Sequence, residues 1–143
     1  MPALECTFCR IARFELAAHI VHSDDANVVF LDHRPLFAGH CLVIPRGHVE
    51  SLLDLPAERV GPLFVRVQQV SRAVLQALSA EGIFNAVNNG VSQSVPHLHV
   101  HVIPRRLKDG LKSLYYPRYA YSGEAEMVAV RDAIAAALAG ERT

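Results

Sequence analysis

Three histidines alternate with apolar residues in the segment that begins at His97. The histidines are His97, His99 and His101, and the alternating apolar residues are Leu98, Val100 and Val102. Alternate side chains of a β-strand share one face, so we predict a row of imidazoles opposite an apolar face that packs into the core. Imidazole titrates near neutral pH and is itself a nucleophile. The pattern therefore predicts nucleophilic chemistry on this strand.

Two other interpretations of the histidine row remain open. A solvent-exposed strand face can carry histidines, although such faces favour Thr, Lys and Glu. The row could also ligate a metal ion, but same-face positions on one strand lie about 6 to 7 Å apart, which makes it hard for all three to reach one ion. A row suits a nucleophile whose neighbours orient it and neutralise an anionic substrate. A polar loop over residues 88–94, with the sequence Asn-Asn-Gly-Val-Ser-Gln-Ser, precedes the row and could donate hydrogen bonds to phosphate.

A second cluster of reactive residues lies near the start of the chain, where Cys6 and Cys9 form a Cys-x-x-Cys motif. The motif allows a zinc half-site, a redox pair or two unrelated thiols. A redox pair is expected between a strand and a helix, and only five residues precede Cys6. A zinc site needs two further ligands from elsewhere in the chain.

The hydrophobic periodicity predicts the elements that hold these residues. Five short strands are predicted, at residues 18–22, 28–31, 40–44, 83–88 and 97–103. Apolar residues then recur at helical spacing, which predicts a central helix that begins near Asp54 or Pro56 and ends before Gly82. A final helix is predicted from about Ser122 to Ala139, with four residues facing inward: Met127, Val130, Ile134 and Leu138. This pattern predicts an α+β domain built on an antiparallel sheet.

The composition is that of an ordinary globular protein. The chain has 143 residues, 51% of them apolar, and 14 basic side chains balance 14 acidic ones. A chain without a basic surface field gives no reason to expect nucleic acid or an anionic membrane as a partner. No apolar stretch is long enough to span a bilayer and no secretory signal is visible. The odd cysteine count makes a disulfide framework unexpected, so we predict a cytoplasmic protein.

Residues 93–103 resemble the signature of the histidine-triad (HIT) family of nucleotide-binding hydrolases and transferases. That signature alternates three histidines with apolar residues after a Gln-Ser or Gln-Thr pair. Phe30-Leu31-Asp32 and the segment from Gly39 to Pro45 are also similar to the family pattern. The resemblance implies a HIT-like antiparallel five-stranded sheet with one central and one C-terminal helix. It implies a single HIT domain over residues 1–143, with a core at about 5–106 and a variable C-terminal segment at 107–143.

The resemblance also implies roles for individual residues. His99 would attack the α-phosphorus of a nucleotide to form a covalent nucleotidyl-histidine, and His101 would contact the phosphate oxygens. Ser94 would hydrogen-bond the departing group, and His40 would lie near His99 and orient it. The nucleotide-binding residues would be Phe8, Ile11, Phe30, Leu31, Asp32, Asn88, Gln93, Ser94, His99 and His101. For the four apolar residues of this set, an ordinary core position is the alternative.

Members of the family that carry the Cys-x-x-Cys motif bind zinc through it, through a later histidine and through the first triad histidine. The resemblance therefore implies a structural zinc site of Cys6, Cys9, His48 and His97, as in the zinc-containing bacterial-type branch. It also implies a homodimer. One departure is that Gly90-Val91-Ser92-Gln93 is shorter than the usual glycine-rich loop, which changes the pocket around the leaving group.

The function predicted from these residues is attack on the α-phosphate of a purine nucleotide conjugate. The conjugate would be a phosphoramidate, a dinucleoside polyphosphate or a phosphosulfate-like compound of AMP or GMP type. A nucleotide-binding regulatory module with little turnover is the alternative, and the presence of His99 favours the enzyme. A zinc-containing protein that binds nucleic acid is a third possibility, and the balanced charge argues against it.

Overall fold

The computed structural model describes residues 2–112 and 118–141. Within these ranges, in chain order, it contains α1 (Thr7–Ala12), β1 (Ile20–Ser23), β2 (Asn27–Leu31), β3 (Cys41–Pro45), a short 3-10 helix (Leu52–Asp54), α2 (Ala57–Ala77), β4 (Gly82–Ala86), β5 (Val100–Arg105) and α3 (Glu124–Ala139). The chain divides between residues 109 and 110 into two compact units. The single domain predicted over residues 1–143 stays a prediction.

The strands form one antiparallel sheet in the order β1-β2-β3-β5-β4. The predicted α+β class and the five-stranded antiparallel sheet are confirmed. In the turn between β1 and β2, the carboxylate of Asp24 accepts the backbone N–H groups of Ala26 and Asn27 at 2.8 Å each. The central strand β3 places Leu42 opposite His101 of β5. This pairing brings the segment before β3, which carries His40, next to the histidine row.

The core lies between the sheet and α2. Four residues of α2 at helical spacing are buried: Leu63, Val67, Val70 and Val74. They pack in one cluster with the apolar residues that alternate with the histidines, Leu98, Val100 and Val102. The predicted apolar face of the histidine segment is therefore confirmed. Burial of this stripe, more than intrinsic propensity, explains why α2 is a stable helix.

The boundaries differ from the sequence prediction at two places near the site. β5 begins at Val100 and not at His97, because the backbone N–H groups before it bond outside the sheet ladder: His97 donates to Val95 and Leu98 donates to Val49, at 2.8 Å each. The helix α1 was not predicted. Six residues are too few to display a helical period, so sequence reasoning had no signal there.

The second unit contains α3, for which the prediction was partly wrong. The helix lies where it was expected, although it begins at Glu124. Its four predicted inward residues, Met127, Val130, Ile134 and Leu138, are exposed, and none of its described residues is buried. Within the described part of this unit, α3 is the only helix or strand, so the unit offers no second element against which an apolar stripe could be buried.

Candidate active site

A cavity of about 970 Å³ opens between α1, the sheet and the histidine segment. This volume is at the upper end of the range for small-molecule sites. Eight of the ten predicted nucleotide-binding residues line it: Phe8, Ile11, Phe30, Leu31, Asp32, Ser94, His99 and His101. The structure thus brings residues from three separate stretches of the chain, at 8–11, 30–32 and 94–101, around one cavity.

Aromatic rings form one wall of the cavity next to the central histidine. The ring of Phe8 meets His99 edge to face, with centroids 5.1 Å apart, and meets Phe30 at 5.3 Å. Phe8 comes from α1 and Phe30 from β2, and both are buried. Aromatic walls of this kind suit a flat apolar group such as a nucleobase.

The backbone determines which nitrogen of His99 is free. Nδ1 of His99 lies 2.7 Å from the carbonyl oxygen of His97. A carbonyl oxygen accepts only, so Nδ1 carries the proton and donates it. In the neutral imidazole, Nε2 then holds a lone pair. His99 is 4% exposed and lines the cavity, so this lone pair lies in a shielded position in the cavity wall.

The backbone also determines the proton positions of His40 and His101. The N–H of Leu36 donates to Nδ1 of His40 at 3.1 Å, so Nε2 of His40 carries the ring proton. That proton is donated to Nδ1 of His101 at 2.9 Å. Nδ1 of His101 is therefore an acceptor, and its Nε2–H remains a donor. We predicted that His40 lies near His99 and orients it. In the structure His40 donates its hydrogen bond to His101.

Burial keeps this pair of imidazoles neutral. Together with the neighbouring His99 and His40, it lowers the pKa of His101 to about 4. It also lowers the pKa of His40, and the carboxylate of Asp32 partly opposes this effect. Asp32 lies 3.6 Å from Nε2 of His40, and its other oxygen accepts the N–H of Arg34 at 2.9 Å. The cavity can therefore present the Nε2–H of His101 as a donor to an anionic group and the carboxylate of Asp32 as an acceptor to a hydroxyl group.

The second predicted site is a compact cluster of two thiols and two imidazoles. Nδ1 of His97 lies 3.5 Å from Sγ of Cys6 and 3.4 Å from Sγ of Cys9, and Nδ1 of His48 lies 3.3 Å from Sγ of Cys9. One donor atom from each of the four residues lies within 4.8 Å of the other three. A tetrahedral zinc ion requires ligand atoms about 3.4 to 3.8 Å apart. The spacing and the donor set fit zinc.

The protonation of the cluster also fits a metal ion. Nε2 of His97 donates to the carbonyl oxygen of Pro45 at 2.9 Å, which leaves the lone pair on Nδ1, toward the thiols. Burial lowers the pKa of His97 to about 4, so this lone pair is available at neutral pH. Burial and the neighbouring Cys6 raise the pKa of Cys9 to about 11 in the absence of a metal. A bound cation would stabilise the thiolate instead.

A second group of potential ligands, Asp32, His40 and His101, is also close enough to share an ion. The hydrogen bond from Leu36 argues against a metal there. It requires the lone pair of His40 to be on Nδ1, so Nε2 must keep its proton and cannot ligate as a neutral imidazole. His40 is therefore a hydrogen-bonding partner of His101 and lies behind the cavity that Asp32 and His101 line.

Two predicted residues are placed elsewhere. Asn88 and Gln93 are not among the residues that line the cavity. The side chain of Gln93 accepts the N–H of Gly90 at 2.9 Å and donates to the carbonyl of Glu50. Their role at the phosphates stays a prediction. Sequence reasoning missed Leu16 and His33, which line the cavity; for His33 its position directly after Asp32 was an available signal.

A family model described as HIT domain matches residues 13–108. The chain belongs to the HIT family. A crystal structure of a HIT family member from Bacillus subtilis is similar, with a TM-score of 0.85 and 30% identity over 92% of this chain and 96% of that chain. A zinc-bound histidine triad family protein from Mycobacterium smegmatis has a TM-score of 0.73 and 34% identity over 98% of this chain and 100% of that one. The HIT fold predicted from the sequence is confirmed.

Two of the relatives are named as enzymes. The adenylylsulfatase HINT3 of Arabidopsis thaliana is 35% identical over 73% of this chain and 55% of its own length. The asymmetrical bis(5'-nucleosyl)-tetraphosphatase of Schizosaccharomyces pombe is 32% identical over 68% of this chain and 55% of its own length. In the described residues of this chain, no helix has the length and apolar character needed to cross a membrane.

Proposed function

We propose that this protein is a nucleotide hydrolase or nucleotidyl transferase that acts on the α-phosphate of a purine nucleotide conjugate. The observation that carries the proposal is the hydrogen bond from Nδ1 of His99 to the carbonyl of His97, which leaves Nε2 as a lone-pair donor in the cavity wall. Two relatives are named as an adenylylsulfatase and as an asymmetrical bis(5'-nucleosyl)-tetraphosphatase, and both names describe enzymes that act on nucleotide conjugates. A phosphoramidate, a dinucleoside polyphosphate and a phosphosulfate are the candidate substrates.

In the proposed first step, Nε2 of His99 forms a bond to the α-phosphorus. The bond from phosphorus to the leaving group breaks, and the leaving group departs with its electron pair. Ser94, which lines the cavity, donates a hydrogen bond to that group. In the second step the oxygen of a water molecule or of another acceptor attacks phosphorus, and its proton passes to the departed leaving group or to solvent. The phosphorus–nitrogen bond breaks, its electron pair returns to Nε2, and the neutral imidazole is regenerated.

The other residues of the cavity bind and orient the nucleotide in this proposal. The Nε2–H of His101 donates to a phosphate oxygen where negative charge accumulates. Asp32 accepts the ribose hydroxyls, and the base lies in the apolar slot of Phe8, Ile11, Phe30 and Leu31. Catalysis by His99 does not require a separate base, because imidazole is both a nucleophile and a leaving group near neutral pH.

We assign Cys6, Cys9, His48 and His97 to a structural zinc site. The four donor atoms are close enough for tetrahedral coordination, and a zinc-bound relative has the same fold. Zinc would supply a closed coordination site that holds the N-terminal segment against the histidine segment. We also retain the predicted homodimer, which light scattering at micromolar concentration tests; a monomeric mass would contradict it.

The experiment that tests the activity follows AMP release from adenosine 5′-phosphoramidate, diadenosine polyphosphates and adenosine 5′-phosphosulfate. The purified protein should release AMP from at least one of them, and His99→Ala should not. His33→Ala is the matched control, because this exposed histidine lines the same cavity without a part in the proposed chemistry. Tight AMP binding with no release by the unmodified protein would contradict the enzyme and favour a nucleotide-binding regulatory module.

A further inference from the structure

His97 connects the metal cluster to the proposed nucleophile. Its ring nitrogen Nδ1 lies 3.5 and 3.4 Å from the two thiols of the cluster. Its backbone carbonyl accepts the Nδ1–H of His99 at 2.7 Å. The ring is fully buried and held from the other side by the carbonyl of Pro45. A shift of the His97 backbone that follows a change in the cluster therefore moves the carbonyl that fixes the proton of His99.

Phe8 makes a second connection. It lies between Cys6 and Cys9 in the sequence, and its ring contacts His99 and Phe30 at centroid distances of 5.1 and 5.3 Å. The helix α1 that carries Phe8 has six residues, too few to be stable without tertiary contacts. The two cysteines are thus one of the attachments that hold this wall of the nucleotide cavity in place.

The cluster is held more weakly without a metal ion. Each of its two thiols can donate one hydrogen bond, Cys6 to Nδ1 of His97 and Cys9 to Nδ1 of His48, and a thiol is a weak donor. A bound metal ion would replace these two weak bonds with four coordinate bonds. Nε2 of His48 is buried and has no hydrogen-bond partner among the described residues, so that nitrogen adds no support to the ring. We therefore expect the metal-free cluster to rearrange, and His97 and α1 to shift with it.

We propose that the cluster of Cys6, Cys9, His48 and His97 positions the nucleophile and the aromatic wall of the nucleotide site when it holds a metal ion. Metal occupancy then controls nucleotide binding and transfer in addition to stability. His97 acts as a positioning residue through its carbonyl, and Phe8 acts as one through its ring. The proposal rests on the proposed function of His99 as the nucleophile.

The test compares the zinc-loaded protein with protein treated with a chelator and with the variant His48→Asn. His48 does not line the nucleotide cavity, so an effect of its substitution on the site must pass through the cluster. Zinc content is measured together with the tautomer of His99, by long-range ¹⁵N–¹H correlation spectra of ¹⁵N-histidine-labelled protein, and with AMP affinity, by calorimetry. Val67→Ala, on the buried face of α2, is a control that lowers the stability of the fold without changing a residue of the metal cluster.

We expect His99 of the loaded protein to be the Nδ1–H tautomer. Zinc removal or His48→Asn should give a mixture of tautomers and raise the Kd for AMP by about tenfold, the change expected from losing one aromatic contact and one hydrogen bond. Added zinc should reverse both effects in the wild-type protein. Val67→Ala should lower Tm and leave the tautomer and the Kd unchanged.

Three results would overturn the coupling. One is a protein that binds no zinc. Another is a metal-free protein whose His99 tautomer and AMP affinity equal those of the loaded protein while only its Tm is lower. The third is a Val67→Ala variant that changes the tautomer as much as zinc removal does. If the loaded protein neither binds nor cleaves any nucleotide, the proposed function fails, but the tautomer measurement still decides whether the cluster controls His99.

Discussion

Replacing His40 by asparagine or by glutamine separates its two hydrogen bonds. His40 accepts the N–H of Leu36 on Nδ1 at 3.1 Å and donates from Nε2 to His101 at 2.9 Å. The amide of asparagine reaches about as far as Nδ1 of histidine, and the amide of glutamine about as far as Nε2. His40→Asn therefore keeps the acceptor for Leu36 and removes the donor to His101, and His40→Gln does the reverse.

The expected magnitude follows from what each variant leaves unpaired. In His40→Asn, Nδ1 of His101 loses its donor, and the ring is free to adopt the other tautomer, which puts no proton on Nε2. An unsatisfied buried acceptor costs about 1 to 3 kcal/mol, and each 1.36 kcal/mol is a factor of about ten in rate. Because water can partly replace the donor at a half-buried ring, we expect kcat to fall by about tenfold. His40→Gln should fall by less than about threefold.

Single-turnover AMP release from the best of the candidate substrates measures this difference, and thermal unfolding of both variants controls for stability. Both lose one hydrogen bond of similar burial, so their Tm values should be within a few degrees of each other. Equal rates for the two variants would refute the reasoning, because the donor to His101 would then be irrelevant to the reaction. A larger loss in His40→Gln would refute it as well, since the contact with Leu36 would then be the important one.

Three further substitutions test the fold and its electrostatics. Burial lowers the folded pKa of His101 to about 4, below its ordinary value of 6.5; the folded state therefore binds fewer protons between these values, and the free energy of unfolding should fall as the pH drops from 6.5 to 4. Thermal unfolding should show a smaller pH dependence in His101→Gln, and an equal dependence would contradict the assignment. Gly39→Ala should lower the free energy of unfolding, measured in urea, by about 1 to 3 kcal/mol. The cause is twofold, because φ of Gly39 is +92° and the new Cβ would lie 2.1 Å from Cδ1 of Leu78. Gly90→Ala is the control and should lower it by less, because Gly90 has a similar φ of +90° but open space around its Cα. Asp24→Asn should cost about 1 to 2 kcal/mol in the same assay by weakening charge-assisted bonds to the two turn amides, and an unchanged midpoint would contradict this role of the carboxylate.

The elements that hold the site could be predicted because burial governs them. The alternation at Leu98, Val100 and Val102 and the helical stripe of α2 both record contact with one core, and such contact leaves a period in the sequence. The helix α1 leaves no readable period because it is six residues long. The apolar stripe of α3 has a period but no burial in the described residues, which shows that a period indicates an apolar face and does not identify what covers it.

The contacts that distinguish the histidines could not be predicted, since those of His97 and His99 are made with backbone carbonyls that no side-chain pattern marks. The carbonyl of Pro45, 52 positions before His97 in the sequence, accepts the hydrogen bond from Nε2–H of His97, which leaves the lone pair of Nδ1 toward the thiols. The carbonyl of His97 accepts the hydrogen bond from Nδ1–H of His99, which leaves the lone pair on Nε2. Carbonyls and amides occur at nearly every residue, so no side-chain pattern marks the ones that serve as partners.

These backbone partners explain how identical side chains acquire different chemistry within five residues. A neutral imidazole has one donor and one acceptor nitrogen, so a carbonyl that binds one nitrogen determines what the other can do. In His97 the free nitrogen faces soft ligands and suits a metal ion; in His99 it faces a cavity and suits attack on phosphorus. The proton of His40 makes His101 a donor instead. It follows that exchanging the roles of His97 and His99 would require moving the carbonyls that accept their ring protons. A substitution elsewhere that leaves these carbonyls in place should therefore lower activity less than one that displaces them.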